Sequence, residues 1–280
     1  MKDGSYVLVN GLFVPAAEYK ITLTEAAGLL FTERIRSVRT SFPFFRESVE
    51  LIKYKLMLFN QSCPDLTDHE GADLKRQLER TLTKNKHFLG AVLSVRFWLS
   101  EGKLQCSVQS NKTEHSSYEL NNKGLYISIS YEIRKAVSSL SNTSIGSETY
   151  WNIARMRLND PANELLLLNN EDQIIEAPWS NIYIIKNGMI KGASIRQGAF
   201  ADSSKLLMLN IFQQMGISYN ESEGITEMDL KEADEVFLVN SLDGIRWIIG
   251  FQGKRYFNQV IRKIYNVFTN TLFNLSLDRK

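Results

Sequence analysis

The sequence predicts an α+β protein of two domains, and three observations carry that expectation. At 280 residues, 44% of them hydrophobic, the chain is long enough to build two modest cores. Segments with strand and helix periodicity are mixed in both halves. A polar stretch rich in Ser, Asn and Glu, residues 111–122, lies between the halves and reads as a linker. The expected domains are an N-terminal α+β domain, residues 1–115, and a C-terminal α/β-type domain, residues 116–280.

The first domain opens with two apolar runs, Tyr6 to Val9 and Leu12 to Pro15, joined by Asn10-Gly11. Asn-Gly between apolar runs predicts a tight hairpin, because both residues accept positive φ. Ile52, Leu56 and Phe59 fall at i, i+4 and i+7, predicting a helix with Ser48 as its N-cap. Leu74, Leu78 and Leu82 share one face of a second helix. Residues 89–99 and 104–108 read as strands joined through Glu101-Gly102-Lys103. In the second domain the expected order is a strand over 125–131, a helix over 148–158 and a strand over 165–168. A hairpin over 181–190 turning at Asn187-Gly188 follows, then an amphipathic helix over 204–215. Strands over 235–239 and 245–249 and a helix over 257–273 complete it.

Charge excludes some functions. Lys plus Arg is 33 against 31 Asp plus Glu, a net charge of +2, so no basic excess points to nucleic acid or an anionic membrane. No apolar run is long enough for a signal peptide or a membrane span. Cys63 and Cys106 lack metal-ligand spacing and read as reduced, buried thiols of a cytoplasmic protein. His69, His87 and His115 are expected on the surface, and no metal site is expected.

Four segments stand out by motif: the hairpin Val9 to Pro15; Glu33-Arg34-Ile35-Arg36; Leu166 to Asn169 with Ile174 to Tyr183; and Ile225 to Leu230 with Ala233 to Ser241. In order and spacing they resemble the opening hairpin, the end of the "FETIR" segment, "lLlN…vtEgs.sNiF" and "it…L..ADEvFltns" of the class IV aminotransferases that use pyridoxal phosphate (PLP), a family of branched-chain and D-amino-acid aminotransferases and aminodeoxychorismate lyases. The resemblance spans nearly the whole chain. It implies a two-domain fold like that of D-amino-acid aminotransferase (PLP fold type IV), a cofactor cleft between the domains, and a dimer.

PLP chemistry needs a lysine that forms a Schiff base, an acid opposite the pyridinium nitrogen, and donors for the phosphate. By the resemblance Glu176 is the pyridinium partner, the alternative being a strand-end surface carboxylate. The lysine is missing: counted back at the family's spacing from Ala154 and from Glu176, its position falls on Ser144. No lysine lies between Lys135 and Lys186, and Lys135, upstream, is expected to be solvated. Leu51 stands where the family has a phosphate-binding arginine. In the family's glycine turn at a helix N-terminus this chain has Asp202, expected to cap the helix and repel phosphate. Ser241 remains as a phosphate hydroxyl ligand. Gly28 to Glu33 places Leu29 and Thr32 where the family's active-site wall has acidic and aromatic residues.

The vestigial cofactor residues are therefore Glu176 and Ser241, with no catalytic residue. The expectation is a catalytically inactive homologue that holds no cofactor and acts as a binding or partner subunit. It would pair with itself or with an active paralogue. The alternative is a divergent aminotransferase or aminodeoxychorismate lyase that holds PLP without a covalent bond.

Overall fold

A computed structural model of the chain describes residues 2–158, 163–221 and 224–277. The chain divides into two compact units, Met1–Tyr118 and Glu119–Lys280.

In the first unit, β1 (Lys2–Val9) and β2 (Leu12–Pro15) form the hairpin, with Val9 opposite Leu12. Asn10 and Gly11 have φ of 47° and 84°, the pair of positive values that a tight two-residue turn requires. α1 (Leu23–Gly28) follows, its start fixed by a reciprocal Thr22–Glu25 capping box. Then come β3 (Leu29–Val38), α2 (Phe45–Leu58), α3 (Pro64–Thr67), α4 (Ala72–Asn85), β4 (Gly90–Ser100) and β5 (Lys103–Lys112). The strands make one antiparallel sheet in the order β2-β1-β5-β4-β3. Leu74, Leu78 and Leu82 are buried as their spacing predicts, and α4 packs on β1 and β5.

Four expectations need correction here. Ser48 is not an N-cap: α2 starts at Phe45, and Ser48 is a buried residue inside it. The polar segment does not begin as a linker, because β5 runs to Lys112 and pairs Asn111 with Val92. Strand pairing satisfies that backbone whatever the side-chain polarity. His69 and His115 are exposed, but His87 is buried, which lowers its pKa. Of the thiols, Cys106 is buried while Cys63 is only half-buried; both are free.

The second unit comprises β6 (Leu125–Lys135), α5 (Ser144–Arg157), β7 (Asn163–Asn169), β8 (Ile174–Glu176), β9 (Asn181–Lys186) and β10 (Met189–Gly192). It continues with α6 (Lys205–Gln214), β11 (Tyr219–Asn220), α7 (Glu227–Glu232), β12 (Glu235–Asn240), β13 (Gly244–Phe251), β14 (Lys254–Arg255) and α8 (Gln259–Leu277). The sheet order is β11-β10-β9-β12-β13-β6-β7-β8, with β14 on β13. It is mixed: β13–β6, β6–β7 and β10–β11 are parallel, the other pairs antiparallel. A parallel β6–β7 pair needs a crossover, and α5 supplies it, packing on both strands.

Alternation along the strands divides the core between the two sheet faces. Ile182 and Ile184 of β9, with Val236 and Leu238 of β12, join a cluster that includes Trp151, Ala154, Phe200 and Ile175. Tyr183 and Phe237 stack at 5.2 Å, and Tyr183 meets Phe212 of α6 edge-on. Two boundaries differ from expectation and matter for the site. β6 continues past Tyr131 to Lys135, and α5 begins at Ser144 rather than Glu148. Thr143 sets that start by accepting from the Gly146 amide. Gly146 itself is required, since a Cβ there would lie 2.4 Å from the Leu140 carbonyl oxygen.

Candidate functional site

The site begins at the end of β8, where Glu176 has no exposed surface. Its Oε2 accepts from Lys135 Nζ at 2.7 Å and from the Phe200 amide at 2.7 Å. Its Oε1 accepts from Trp151 Nε1 at 2.7 Å. β6, α5 and the segment before α6 thus each send one donor to a single carboxylate. Burial pushes the Glu176 carboxyl above its ordinary range, and the Lys135 ammonium and the other two donors oppose that shift. Burial likewise pushes Lys135 below its ordinary value, against the pull of Glu176. The surface alternative for Glu176 is excluded, and so is the solvated reading of Lys135, which is 1% exposed. Lys135 shares its inward face of β6 with Ile127, Ile129 and Ile133.

An aromatic wall stands beside the carboxylate. Trp151 is fully buried, packed against Phe200 at 4.8 Å and Trp179 at 5.1 Å. Arg155, one turn further along α5, places its guanidinium 5.0 Å from the Trp179 ring centre. Trp179 sits in the tight turn after β8, where Ala177 and Ser180 exchange backbone hydrogen bonds. Its φ is 55°, a left-handed conformation that costs a bulky residue roughly 1–2 kcal/mol. Packing on Trp151 and Arg155 offsets that cost. Replacing Trp179 with Gly is expected to relieve the turn yet leave stability about equal or lower, because the ring contacts are lost. Chemical denaturation measures the difference.

The second half of the site lies at the start of α6. Asp202 Oδ1 accepts from the Ser204 amide at 2.8 Å and also from the Ser204 hydroxyl. Its Oδ2 accepts from Ser241 Oγ at 3.0 Å. Asp202 is not the cap the sequence suggests: Ser204 is the N-cap of α6 and makes no side-chain cap bond, and Asp202, two residues earlier, accepts from Ser204 and also engages Ser241, the hydroxyl the resemblance assigns to phosphate. Burial raises the Asp202 carboxyl from 3.8 to about 6, against the hydrogen bonds from Ser204 and Ser241. A carboxyl whose folded pKa is raised contributes stability below its unfolded value and loses it as pH rises through the folded value. Between pH 3.8 and about 6, Asp202 should thus lower stability with rising pH, by roughly 2–3 kcal/mol in total. Asp202→Asn is expected to flatten that slope in urea titrations collected across the interval.

The other positions singled out by the sequence fall as follows. Ser144 is the first residue of α5 and half-buried, about two helical turns before Trp151. It carries a hydroxyl and no amine. Leu51 is half-buried in α2, in the first unit. Ser180 Oγ accepts from Asn240 Nδ2 at 2.9 Å and Arg246 Nη2 at 3.0 Å, and Arg246 pairs with Glu164 at 3.2 Å. This network fixes the end of β12 from which Ser241 projects. Among the described residues no cluster of three His, Cys, Asp or Glu is arranged to hold a metal. None of the described helices is long and apolar enough to cross a membrane.

Reading the sequence missed Lys135, Trp151 and the Phe200 amide. Lys135 carried a usable signal, because its parity with Ile133 puts it on the inward face, where an ammonium needs a carboxylate. Trp151 gave only the pattern of a core helix residue. The Phe200 amide gave none, since a backbone donor has no side-chain signature.

Residues 53–249 match the family of class IV amino-transferases. This chain belongs to that family. A protein of Methanocaldococcus jannaschii that carries a branched-chain-amino-acid aminotransferase name is 25% identical over 139 residues, 49% of this chain and 48% of that protein. The chain thus spans about half the length of that relative. A protein of Aquifex aeolicus with the same kind of name is 21% identical over 285 residues, covering 96% of this chain and 91% of its own. Among solved structures, the branched-chain aminotransferase of Thermoproteus uzoniensis with norvaline superimposes with a TM-score of 0.81 at 19% identity, over 97% of this chain and 95% of that one. The branched-chain amino acid aminotransferase of Escherichia coli gives 0.80 at 15% identity, over 95% of this chain and 93% of that one. The fold is therefore the two-domain α+β fold of PLP fold type IV.

Proposed function

We propose that this chain is a catalytically inactive member of the class IV family, working without PLP as a binding or partner subunit. The observation that carries the reading is the state of Glu176. Both its oxygens accept from protein donors, one of them the Lys135 ammonium, and none of its surface is open.

The residues present do not fit the cofactor. A pyridinium reaching Glu176 would find both oxygens already engaged by Lys135, Trp151 and the Phe200 amide, and none of the carboxylate's surface open to it. Lys135 cannot serve as the Schiff-base lysine instead. The ring nitrogen and the aldehyde-bearing carbon stand at opposite ends of the pyridine, so an amine in contact with Glu176 lies at the wrong end. Ser144, at the position the resemblance gives to the lysine, forms no imine. A phosphate near Ser241 would meet the Asp202 carboxylate, and like charges at close range repel.

The family relation supports a dimer. The partner is a second copy of this chain or a cofactor-bearing relative, in the cytoplasm. Light scattering on the purified protein should give twice the chain mass of 32.1 kDa. Added PLP is expected to leave the visible spectrum that of free cofactor, and borohydride should leave the chain mass unchanged. A reduced adduct on a lysine of the second unit would defeat the reading.

A further inference from the structure

Two sets of bonds at the site have complementary chemistry. At one, a lysine ammonium and an indole N–H are held against a buried carboxylate: Lys135 and Trp151 on Glu176. At the other, a carboxylate is held against hydroxyls and a helix-start amide: Asp202 on Ser241 and Ser204. PLP carries a cation, its pyridinium, at one end and an anion, its phosphate, at the other. The chain's own groups present the same two charges, a cation to Glu176 and an anion to Ser241 and the start of α6.

We propose that this protein occupies its own cofactor site, with Lys135 in place of the pyridinium and Asp202 in place of the phosphate. The inference rests on the cofactor-free reading above and sharpens it: the receptor groups persist and are satisfied from within. One short segment serves both ends. The Phe200 amide donates to Glu176, Ala201 N–H donates to the Asn142 carbonyl at 3.0 Å, and Asp202 reaches Ser241. Segment 200–202 is thereby fixed by β8, by the loop before α5 and by the end of β12. A buried carboxylate and a buried set of donors would each be costly if left bare. Internal partners explain how both survive without a ligand. Tyr183 is fully buried, its hydroxyl has no hydrogen-bond partner among the described residues, and burial, then the Asp202 charge, pushes its pKa up.

The test is a gain of binding. Inorganic phosphate is titrated against the full chain and against Asp202→Asn and Asp202→Gly, well above the pH at which Asp202 ionises, with thermal unfolding as readout. Wild type should show no specific rise in Tm. The variants should rise with phosphate and bind it about tenfold more tightly or better, because the competing charge is gone. In parallel, ethylammonium is titrated against Lys135→Ala, where it should raise Tm by refilling the cation position, and against wild type, where it should not. If wild type is stabilised by phosphate as strongly as the Asp202 variants, self-occupancy is wrong. It is also wrong if neither Asp202 variant gains phosphate and Lys135→Ala gains nothing from ethylammonium, although the cofactor-free reading then stands. A lysine-bound cofactor spectrum in the wild type would remove both. Asp202→Asn keeps one acceptor oxygen for Ser204 and turns its NH2 toward the Ser241 hydroxyl, which can accept, so the anion arm does not depend on the glycine variant folding.

Discussion

Lys135→Met is expected to destabilise the protein by about 3–5 kcal/mol, the cost of leaving a buried ion without its partner. Glu176 has no exposed surface through which water could replace the ammonium. Trp151 and the Phe200 amide would still donate to it, but neither carries the compensating charge. For a unit of this size the loss corresponds to roughly 6–20 °C in Tm. The effect should depend on pH in a defined direction. Burial already raises the Glu176 carboxyl, and removing Lys135 raises it further. The folded variant then takes up a proton more readily than the unfolded chain, so the loss shrinks on acidification and grows as pH rises through the folded pKa. The double variant Lys135→Met, Glu176→Gln should recover part of the stability, since no charge remains bare and Gln keeps an acceptor for Trp151, while its NH2 leaves the Phe200 amide without one. Urea unfolding of the two single variants and the double yields the coupling. A coupling near zero would mean that the pair is not a unit.

Trp151→Ala should be comparably damaging, about 3–5 kcal/mol, because it opens a cavity in the core and removes a donor to Glu176. The indole is fully buried, touches two aromatic rings and ends on the carboxylate. Trp151→Phe separates those roles. It keeps much of the apolar contact, loses the N–H and leaves a smaller space, and should cost about 1–3 kcal/mol. Denaturant midpoints with unchanged slopes would assign the losses to stability alone. If the Phe variant matched the Ala variant, the hydrogen bond rather than the packing would dominate this corner of the core.

The elements were largely legible in the sequence because their signals are local. Asn10-Gly11 fixes a turn through its own φ preferences, and Leu74, Leu78 and Leu82 mark one helix face by spacing alone. Ser48 looks like a cap, yet α2 starts a turn earlier at Phe45, with no side-chain cap. β6 looks finished at Tyr131, yet pairing with β7 carries it to Lys135, opposite Asn169, across an irregular register. His87 looks polar and exposed, yet it lies buried just beyond the end of α4. For β6 it was a neighbour distant in sequence that overrode the local preference.

By itself the sequence determined the family pattern, the carboxylates at Glu176 and Asp202, and the hydroxyls at Ser144 and Ser241. These are matters of which atoms the chain carries. Only the tertiary structure decided what those atoms do to one another. It turned Lys135 inward onto Glu176 and brought Asp202 onto Ser241, residues 41 and 39 positions apart. Those pairings were out of reach for a local reading because they are set by burial. A buried charge must find a partner wherever the fold places one, and strand order, not sequence spacing, determines which partner lies within reach.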